Sequence, residues 1–462
     1  MLREPDDRDY ADSYDDFEKQ RIRLMLSINR IIMKAGEKPK SRIIERWKTK
    51  YMRNNRLENE MKFLFFVAAI GAVCSLVLWA FLFIVNKGTE LLWGFLPDKT
   101  GTVAAYPVIV CSIGGLIIGL FRKKYGDYPQ GMMEVLGTVK KTKTYPYRKI
   151  LILLIAAILP LILGSSVGPE AGMVGIITAL CCWAGENLRF ARKQSAKCSE
   201  IGASVSLSII FHAPLFGLFQ MEEGKTVEDE EDSFSRGERV VIYVAATAVA
   251  LGIFKLLNTF LCDVSMGFPS FEAALPEGWD YVIMFLYMVA GVLLGMFFEV
   301  TEKGFEVFSG KLPPVAGEVM AGAVLGIIVM LLPVVQFSGE HQMGILISDY
   351  MLYPAVGMIG IAFLKVFMTN MCIQLGLKGG HFFPLIFSAV CLGYGIALLV
   401  WPGVESHAVF AAAITAASTL GFTMKKPIAV TMLLFLCFPV RMVFWIFFAA
   451  VIASYIAGGR QI

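Results

Sequence analysis

The sequence predicts an all-α integral membrane protein whose helices are tilted, short or interrupted and whose two halves repeat one another. Composition is the first ground: 56% of the residues are hydrophobic and 17% charged, with a mean hydropathy of +0.64, a balance outside the range of soluble domains. The second is the form of the apolar runs, which begin near Phe63, Val103, Ile150, Arg239, Val282, Val315, Leu352, Phe382, Val409 and Val430. Several are cut by Gly and Pro, as in AAYPVIVCSIGG, which favours broken helices over a plain bundle. The alternation of an outer-membrane barrel does not occur in these runs. The third is a matched spacing of breaks: 44 residues separate Glu170 from Pro214, and 45 separate Phe382 from Pro427. The turn YGDYP ends 41 residues before Glu170, and SGEH ends 41 residues before Phe382. Matching discontinuities in two halves point to an inverted repeat with a site where the repeats meet.

Residues 1–16 are acidic and polar, the composition of a disordered tail. From Phe17, Ile22, Leu24, Met25, Leu26, Ile28, Ile31 and Ile32 interleave with Arg21, Arg23, Arg30 and Lys34, the pattern of a basic amphipathic helix. The next stretch carries Lys38, Lys40, Arg42, Arg46, Lys48, Lys50, Arg53 and Arg56 against the single acid Glu45. Basic residues just ahead of a spanning helix follow the positive-inside rule more simply than they indicate nucleic acid, so the N-terminus is expected in the cytoplasm and no nucleic-acid partner is expected. The first apolar run lies behind this charged stretch, so no cleavable secretory signal is expected. The first span is read over Met61–Val85 and the second over Val103–Phe121, returning to the cytoplasm at Arg122, Lys123 and Lys124. The loop YGDYPQGMMEVLG then leads into a short helix.

The stretch Leu163–Gly175, LGSSVGPEAGMVG, organises the rest. It follows the apolar run Ile150–Leu163 and places one carboxylate, Glu170, among apolar and small residues. Pro169 suits a first helical position, because its φ is preset and its missing N–H would have no partner there. A helix start at Pro169 therefore puts an acid in a first turn whose unpaired N–H groups attract anions. Inside a membrane such an end is expected only where it lines a cavity, and an intramembrane carboxylate is a functional candidate by default. The plainer alternative is a Glu that answers its own helix dipole at the membrane surface.

Beyond it, the segment Gly202–Met221 breaks at FHAPLFGLF, where Pro214 opens a helix after His212 that leads into Glu222 and Glu223. The acidic EEGKTVEDEEDSFSRGER reads as a solvated connection, followed by spans around Arg239–Cys262 and Tyr281–Val300. The second half repeats the pattern through LGLKGGHFFPLIF (Leu375–Phe387) and TMKKPIAVTMLLF, where Pro427 opens a helix. The nine Cys lie mostly in apolar runs without disulfide or zinc spacing and read as small packing residues. The four His show no metal-ligand spacing. Without a nucleophile–base pair or a phosphate-cradling motif, an enzyme and a cofactor are not expected. The net charge of +4 decides nothing by itself.

At these motifs the chain resembles the CLC family of chloride channels and chloride–proton antiporters, over roughly Met61 to the C-terminus. Gly168-Pro169-Glu170-Ala171-Gly172 is similar to the family's GREGP motif, Lys378–Pro384 (KGGHFFP) to its GGxFxP motif, and Phe211–Glu223 (FHAPLFGLFQMEE) to its FNAPLxGxxFxxEE. The resemblance implies a CLC-like inverted-repeat fold, a homodimer with one anion pathway per subunit, and a multi-pass protein of the cell (plasma or inner) membrane. It implies that Glu170 gates the pathway and carries a proton in antiporters. It further implies that the amides of Gly168, Ala171, Gly172, Gly380, His381 and Phe382 bind a small inorganic anion, chloride foremost. The His381 ring is left open between facing the pore and packing beside it.

Departures from the family pattern qualify this. The family's GSGIP serine turn is matched only by Gly126-Asp127-Tyr128-Pro129-Gln130, so backbone groups or the Tyr128 hydroxyl are expected to replace the serine, with Asp127 protonated or turned away. The tyrosine that the family carries after the last span has no counterpart before Ile462; Tyr455 is nearest and reads as packing. No C-terminal regulatory domain is expected. Pro169 stands where the family usually has Arg, removing a donor and a charge. A hydrogen bond to a charged group is worth roughly 1.5–3 kcal/mol, so weaker anion binding or a different anion is expected. Glu223 matches the first acid of the family's EE pair without a gap, and Glu222 with Glu223 match both with a one-residue gap. Either alignment leaves open whether these acids relay protons or simply begin the acidic loop. The chain is thus expected to divide into a cytoplasmic region, 1–60, and a membrane domain, 61–462, with halves of about 61–262 and 278–462. Transport of a small anion, with or without protons, is the leading expectation; a transport-inactive membrane scaffold that keeps the fold is the alternative.

Overall fold

The structure, a computed structural model, describes residues 41–100, 104–142, 144–187, 195–223, 236–262, 264, 268–271, 278–401 and 405–459. The expected amphipathic helix and most of the acidic connection lie outside them. One unit ends at Phe65, within which the described residues are helical from Ser41; a second runs from Phe66 to Ile462. No strand occurs among the described residues beyond one isolated bridge. Among the described residues, eight stretches are long and apolar enough to cross a membrane, and shorter apolar helices accompany them.

In chain order the helices are α1 (Ser41–Glu90), which continues through a π turn at Leu91–Phe95, α2 (Tyr106–Tyr125), α3 (Met132–Thr142), α4 (Ile150–Ile162), α5 (Glu170–Asn187), α6 (Ser195–Ile210), α7 (Phe216–Glu222) and α8 (Arg236–Phe260). The second half supplies α9 (Asp280–Ser309), α10 (Ala316–Leu331), α11 (Glu340–Asp349), α12 (Ala355–Gln374), α13 (Phe382–Val400), α14 (Glu405–Met424), α15 (Pro427–Leu434) and α16 (Val443–Gly458). Local chemistry sets many ends. Pro107 occupies the first turn of α2, whose last turn carries Arg122, Lys123 and Lys124 at the negative end of its dipole. Pro427 opens α15, as its sequence position predicts.

Helices α2 and α10 pack closely through two facing small-residue seams. Gly115 and Gly119 on α2 lie against the main chain of Glu318 and Val315, while Gly322 and Gly326 on α10 lie against the main chain of Cys111 and Val108. Both seams have the G-x-x-x-G spacing that lets helix backbones touch where water supplies no driving force. Helices α13 and α14 are the most deeply buried of the spans.

Those two segments are built alike. Phe382 follows Glu170 by 212 positions, and the same offset relates Leu375 to Leu163, Gly376 to Gly164 and Gly380 to Gly168. Helix α4 ends with Gly164 N–H donating to Leu161 O (3.2 Å) and Ser165 N–H to Pro160 O (3.0 Å). Helix α12 ends with Gly376 N–H donating to Ile373 O (3.2 Å) and Leu377 N–H to Cys372 O (2.8 Å). Each is a Schellman ending. Gly164 (φ 83°) and Gly376 (φ 105°) take the left-handed position, where a side chain would cost roughly 1–2 kcal/mol. Each chain then turns back through six residues into the next helix.

Two proline-marked helix starts differ from the sequence reading. Pro214 lies in a turn, and α7 begins only at Phe216 with Leu215 as its cap. Helix α5 starts at Glu170, and Pro169 precedes it as the cap residue, its carbonyl accepting the Met173 N–H at 3.1 Å. Gly168 is held in a bridge to Gly380, so helical geometry begins one residue later than Pro169.

Candidate functional site

The two tips meet. Gly168 N–H donates to Gly380 O at 2.7 Å, and Gly380 N–H donates to Gly168 O at 2.6 Å. This reciprocal pair joins equivalent positions of the two halves. It also means that the amides of Gly168 and Gly380, expected to face an anion, are directed at each other. They hold the tips in register.

The Glu170 carboxyl lies across this junction. Its Oε1 accepts the Phe382 N–H at 2.7 Å. Phe382 and Phe383 open α13, where N–H groups have no helical carbonyl; Pro384, next in line, has no N–H at all. The carboxylate therefore occupies the positive end of α13 as a bound anion would. A Cβ on either Gly168 or Gly380 would fall on the carboxyl group. Glu170 is fully buried, and its Oε2 has no partner among the described residues.

The other expected residues divide in two groups. Ala171 and Gly172 sit in the first turn of α5, where N–H groups lack intrahelical carbonyls; Gly172 also lets α4 approach at Ala157. The His381 ring stacks on Phe382 (4.5 Å between centroids) and packs against Phe298 (5.1 Å), so it packs beside the tip. The Phe382 ring meets Phe211 edge-on (6.2 Å). The Tyr128 ring lies beneath the Lys149 ammonium at 5.6 Å. Asp127 is exposed and pairs with Arg122 and Lys378. Partial burial pushes its carboxyl up, but the Lys378 ammonium and the Arg122 guanidinium outweigh this and hold it below the usual aspartate range. Glu223 caps α15, its two oxygens accepting the N–H groups of Ile428 (3.1 Å) and Ala429 (2.9 Å).

Three buried charged side chains among the described residues escaped the sequence reading: Asp280, Glu318 and Lys365. Lys365, in the middle of α12, is fully buried and donates to the carbonyls of Val335 (2.9 Å), Gln336 (3.2 Å) and Phe337 (2.6 Å). The signal was available: it is the lone charge in AVGMIGIAFLKVFMTNMCIQ, and ionisable residues in such helices have partners and purposes. One turn further, Thr369 lies beside Ser166 of the first tip, their hydroxyls 3.5 Å apart.

Two broken helices whose tips meet inside a multi-pass helical fold define a membrane protein of the inverted-repeat type. The chain belongs to the voltage gated chloride channel family, whose model matches residues 114–458. It is similar to the voltage-gated ClC-type chloride channel ClcB of Escherichia coli (strain SMS-3-5 / SECEC), with 25% identity over 374 residues that span 74% of this chain and 84% of that one. Among solved structures it shares its fold with a CLC-type fluoride/proton antiporter (TM-score 0.67, 18% identity, 86% of this chain and 95% of that one). A slow cyanobacterial Cl-/H+ antiporter has the same fold (TM-score 0.68, 14% identity, 86% of this chain and 93% of that one). The CLC-like inverted-repeat architecture expected from the motifs is the one observed.

Proposed function

We propose that this protein moves a small inorganic anion, chloride foremost, across the cell membrane by a path that the Glu170 carboxylate closes and opens. One observation carries this reading: the carboxylate sits on the Phe382 N–H at the start of α13, pressed between Gly168 and Gly380. A carboxylate and a free anion compete for the same donors. An arriving anion, or a proton on Glu170, weakens the carboxylate's hold and lets it swing off the α13 terminus. The Phe382 amide, with those of His381, Ala171 and Gly172 nearby, then faces the path. Backbone donors of this kind favour any small anion.

Proton coupling is the finer part of the proposal. Glu170 takes a proton when it leaves Phe382, and Glu223, at the far end of the adjoining α7, is the second acid by position. Its capping of α15 is compatible with this, and Glu223→Gln separates the roles because a glutamine oxygen still accepts one N–H. A relay requires that this variant lose proton movement driven by an anion gradient while anion flux persists. We further place the protein in the plasma or inner membrane as a homodimer with its N-terminus in the cytoplasm, the side that the basic residues of 38–56 favour.

The test is efflux from liposomes loaded with chloride, fluoride or nitrate, for wild type and Glu170→Gln. The reading requires that the wild type move at least one of these anions and that the substitution change the rate or its pH dependence. No efflux of any of them, with either protein at any pH, favours a fold kept for a scaffold role.

A further inference from the structure

A cavity of about 340 Å³ is bounded by α11 and the segment ahead of it, by α12 and by α13, and none of the residues of the Glu170 junction lines it. Most of its wall is apolar: Leu346, Met358, Phe387 and Cys391 line it and are buried. Gln336, His341, Gln342 and Tyr353 supply the polar part, and no Lys, Arg, Asp or Glu is among the described residues that line it. Lys365, over the Phe387 ring at 5.7 Å, commits its three N–H donors to the carbonyls of Val335, Gln336 and Phe337. A space of this size, apolar with a few fixed polar groups, has the form of a small-molecule site. Without a lining cation it offers nothing to offset the desolvation of an inorganic anion.

The polar part names the chemistry that fits. Gln342 Nε2 donates to the Gln336 carbonyl at 3.1 Å, which fixes the way the Gln342 amide faces. Its Oε1 is buried with no partner among the described residues. The same holds for Nε2 of Gln336, a residue only 6% exposed. That nitrogen lies against Gly164, where the first tip begins. Buried polar atoms without a partner are rare in folded proteins. Here one is an acceptor and the other a donor, the complement of a hydroxyl, which donates to one and accepts from the other.

The surface beside the cavity is apolar as well. Ile345, which lines it, is 41% exposed; Leu352, next to Tyr353, is 79% exposed, and Val356, two residues before Met358, is 71% exposed. Apolar wall and apolar surface are thus continuous along α11 and the start of α12, a membrane-spanning helix by length and composition. We propose that this cavity binds a neutral single-chain amphiphile of the bilayer, a hydrocarbon tail ending in a hydroxyl. The tail lies against α12 and α13, and the hydroxyl bonds to Gln336 and Gln342. The bound chain rests on Phe387, five residues after Phe382 on the helix whose first amide holds Glu170. As a binding site it does not depend on the transport reading.

The experiment is photolabelling of the purified full-length protein in phosphatidylcholine nanodiscs with a diazirine-bearing octanol, the adducts being located by peptide mass spectrometry. Adducts are expected on Leu346, Met358 or Ile361, saturating with probe concentration. Unlabelled octanol is expected to compete for them about fivefold better than octane, the worth of one neutral hydrogen bond. This comparison needs no variant, so it stands whether or not a substitution disturbs the fold. Gln342→Leu and Gln336→Met are each expected to lower labelling in the cavity about fivefold, while adducts on the exposed Leu352 and Val356 stay at the wild-type level. Adducts confined to such exposed side chains, equal competition by octanol and octane, or cavity labelling unchanged in both variants overturns the proposal and leaves the two amides to water.

Discussion

Gly168 and Gly380 exchange two main-chain hydrogen bonds, each donating to the other's carbonyl. They are equivalent positions in the two halves, so the reciprocal pair lies where a two-fold axis relating those halves would pass. Everything at the site follows from this contact. It brings the first turn of α5 to the first turn of α13, and it leaves no room for a side chain between them. The one side chain present, Glu170, reaches from its own helix to the start of the other.

A methyl group at either glycine should therefore act on Glu170. In Gly380→Ala the new Cβ takes the carboxyl's place, and the carboxyl must leave the Phe382 amide. Anion flux from this variant is expected to lack the pH dependence that Glu170 is expected to impose on the wild type, as in Glu170→Gln. Combining the two changes should add nothing further. Gly168→Ala offers the same test from the other tip, and wild-type pH dependence in both variants would place the carboxylate elsewhere.

Lys365 is a structural cation on this account. Lys365→Met leaves the carbonyls of Val335, Gln336 and Phe337 without their buried donor, and Phe337 holds a left-handed φ of 58° that these bonds support. The expected loss is about 3 kcal/mol, read as a lower thermal unfolding midpoint in detergent.

Glu223 ties α7 to α15 through the cap. Loss of such a cap costs about 1 kcal/mol, so Glu223→Ala should be less heat-stable than Glu223→Gln. Equal midpoints for the two variants would show that the cap contributes nothing measurable.

The Asp127 pairing is acid-sensitive. Its carboxyl titrates lower in the folded protein than in the unfolded chain, because Lys378 and Arg122 offset the upward push of burial. The unfolded chain therefore takes up this proton first as pH falls. The stabilisation is fully present above the ordinary aspartate range and is lost as pH falls through the depressed value. Thermal midpoints of wild type and Asp127→Asn are expected to differ near neutral pH and to converge in acid; a constant difference would mean that the charge is not responsible.

Much of this was legible in the residues. Composition and interrupted runs sufficed for a helical membrane fold, and the repeat was visible in the spacing of Glu170, Pro214, Phe382 and Pro427. The finer register was there too, in LGSSVGPE and LGLKGGHF, which pair Gly168 with Gly380 and Glu170 with Phe382 at one constant offset. What the sequence could not show were contacts between distant polar groups. Asp127 looked like an intruder near an anion path because Lys378, which pairs with it, lies 251 positions away. Gly168 and Gly380 looked like anion ligands because local sequence does not reveal that each amide is taken by the other. Glu223 stayed open between a proton relay and the start of an acidic loop, and its capping of the first turn of α15 could not be read from local sequence.

The central claim is that the Glu170 carboxylate stands in a place where an anion binds. Equilibrium titration with chloride, and then with fluoride, compares wild type with Glu170→Gln directly and needs no transport. The account predicts that removing the charge creates or tightens a site at the start of α13, with affinity rising about tenfold or more. Indistinguishable titrations of the two proteins with both anions would contradict it.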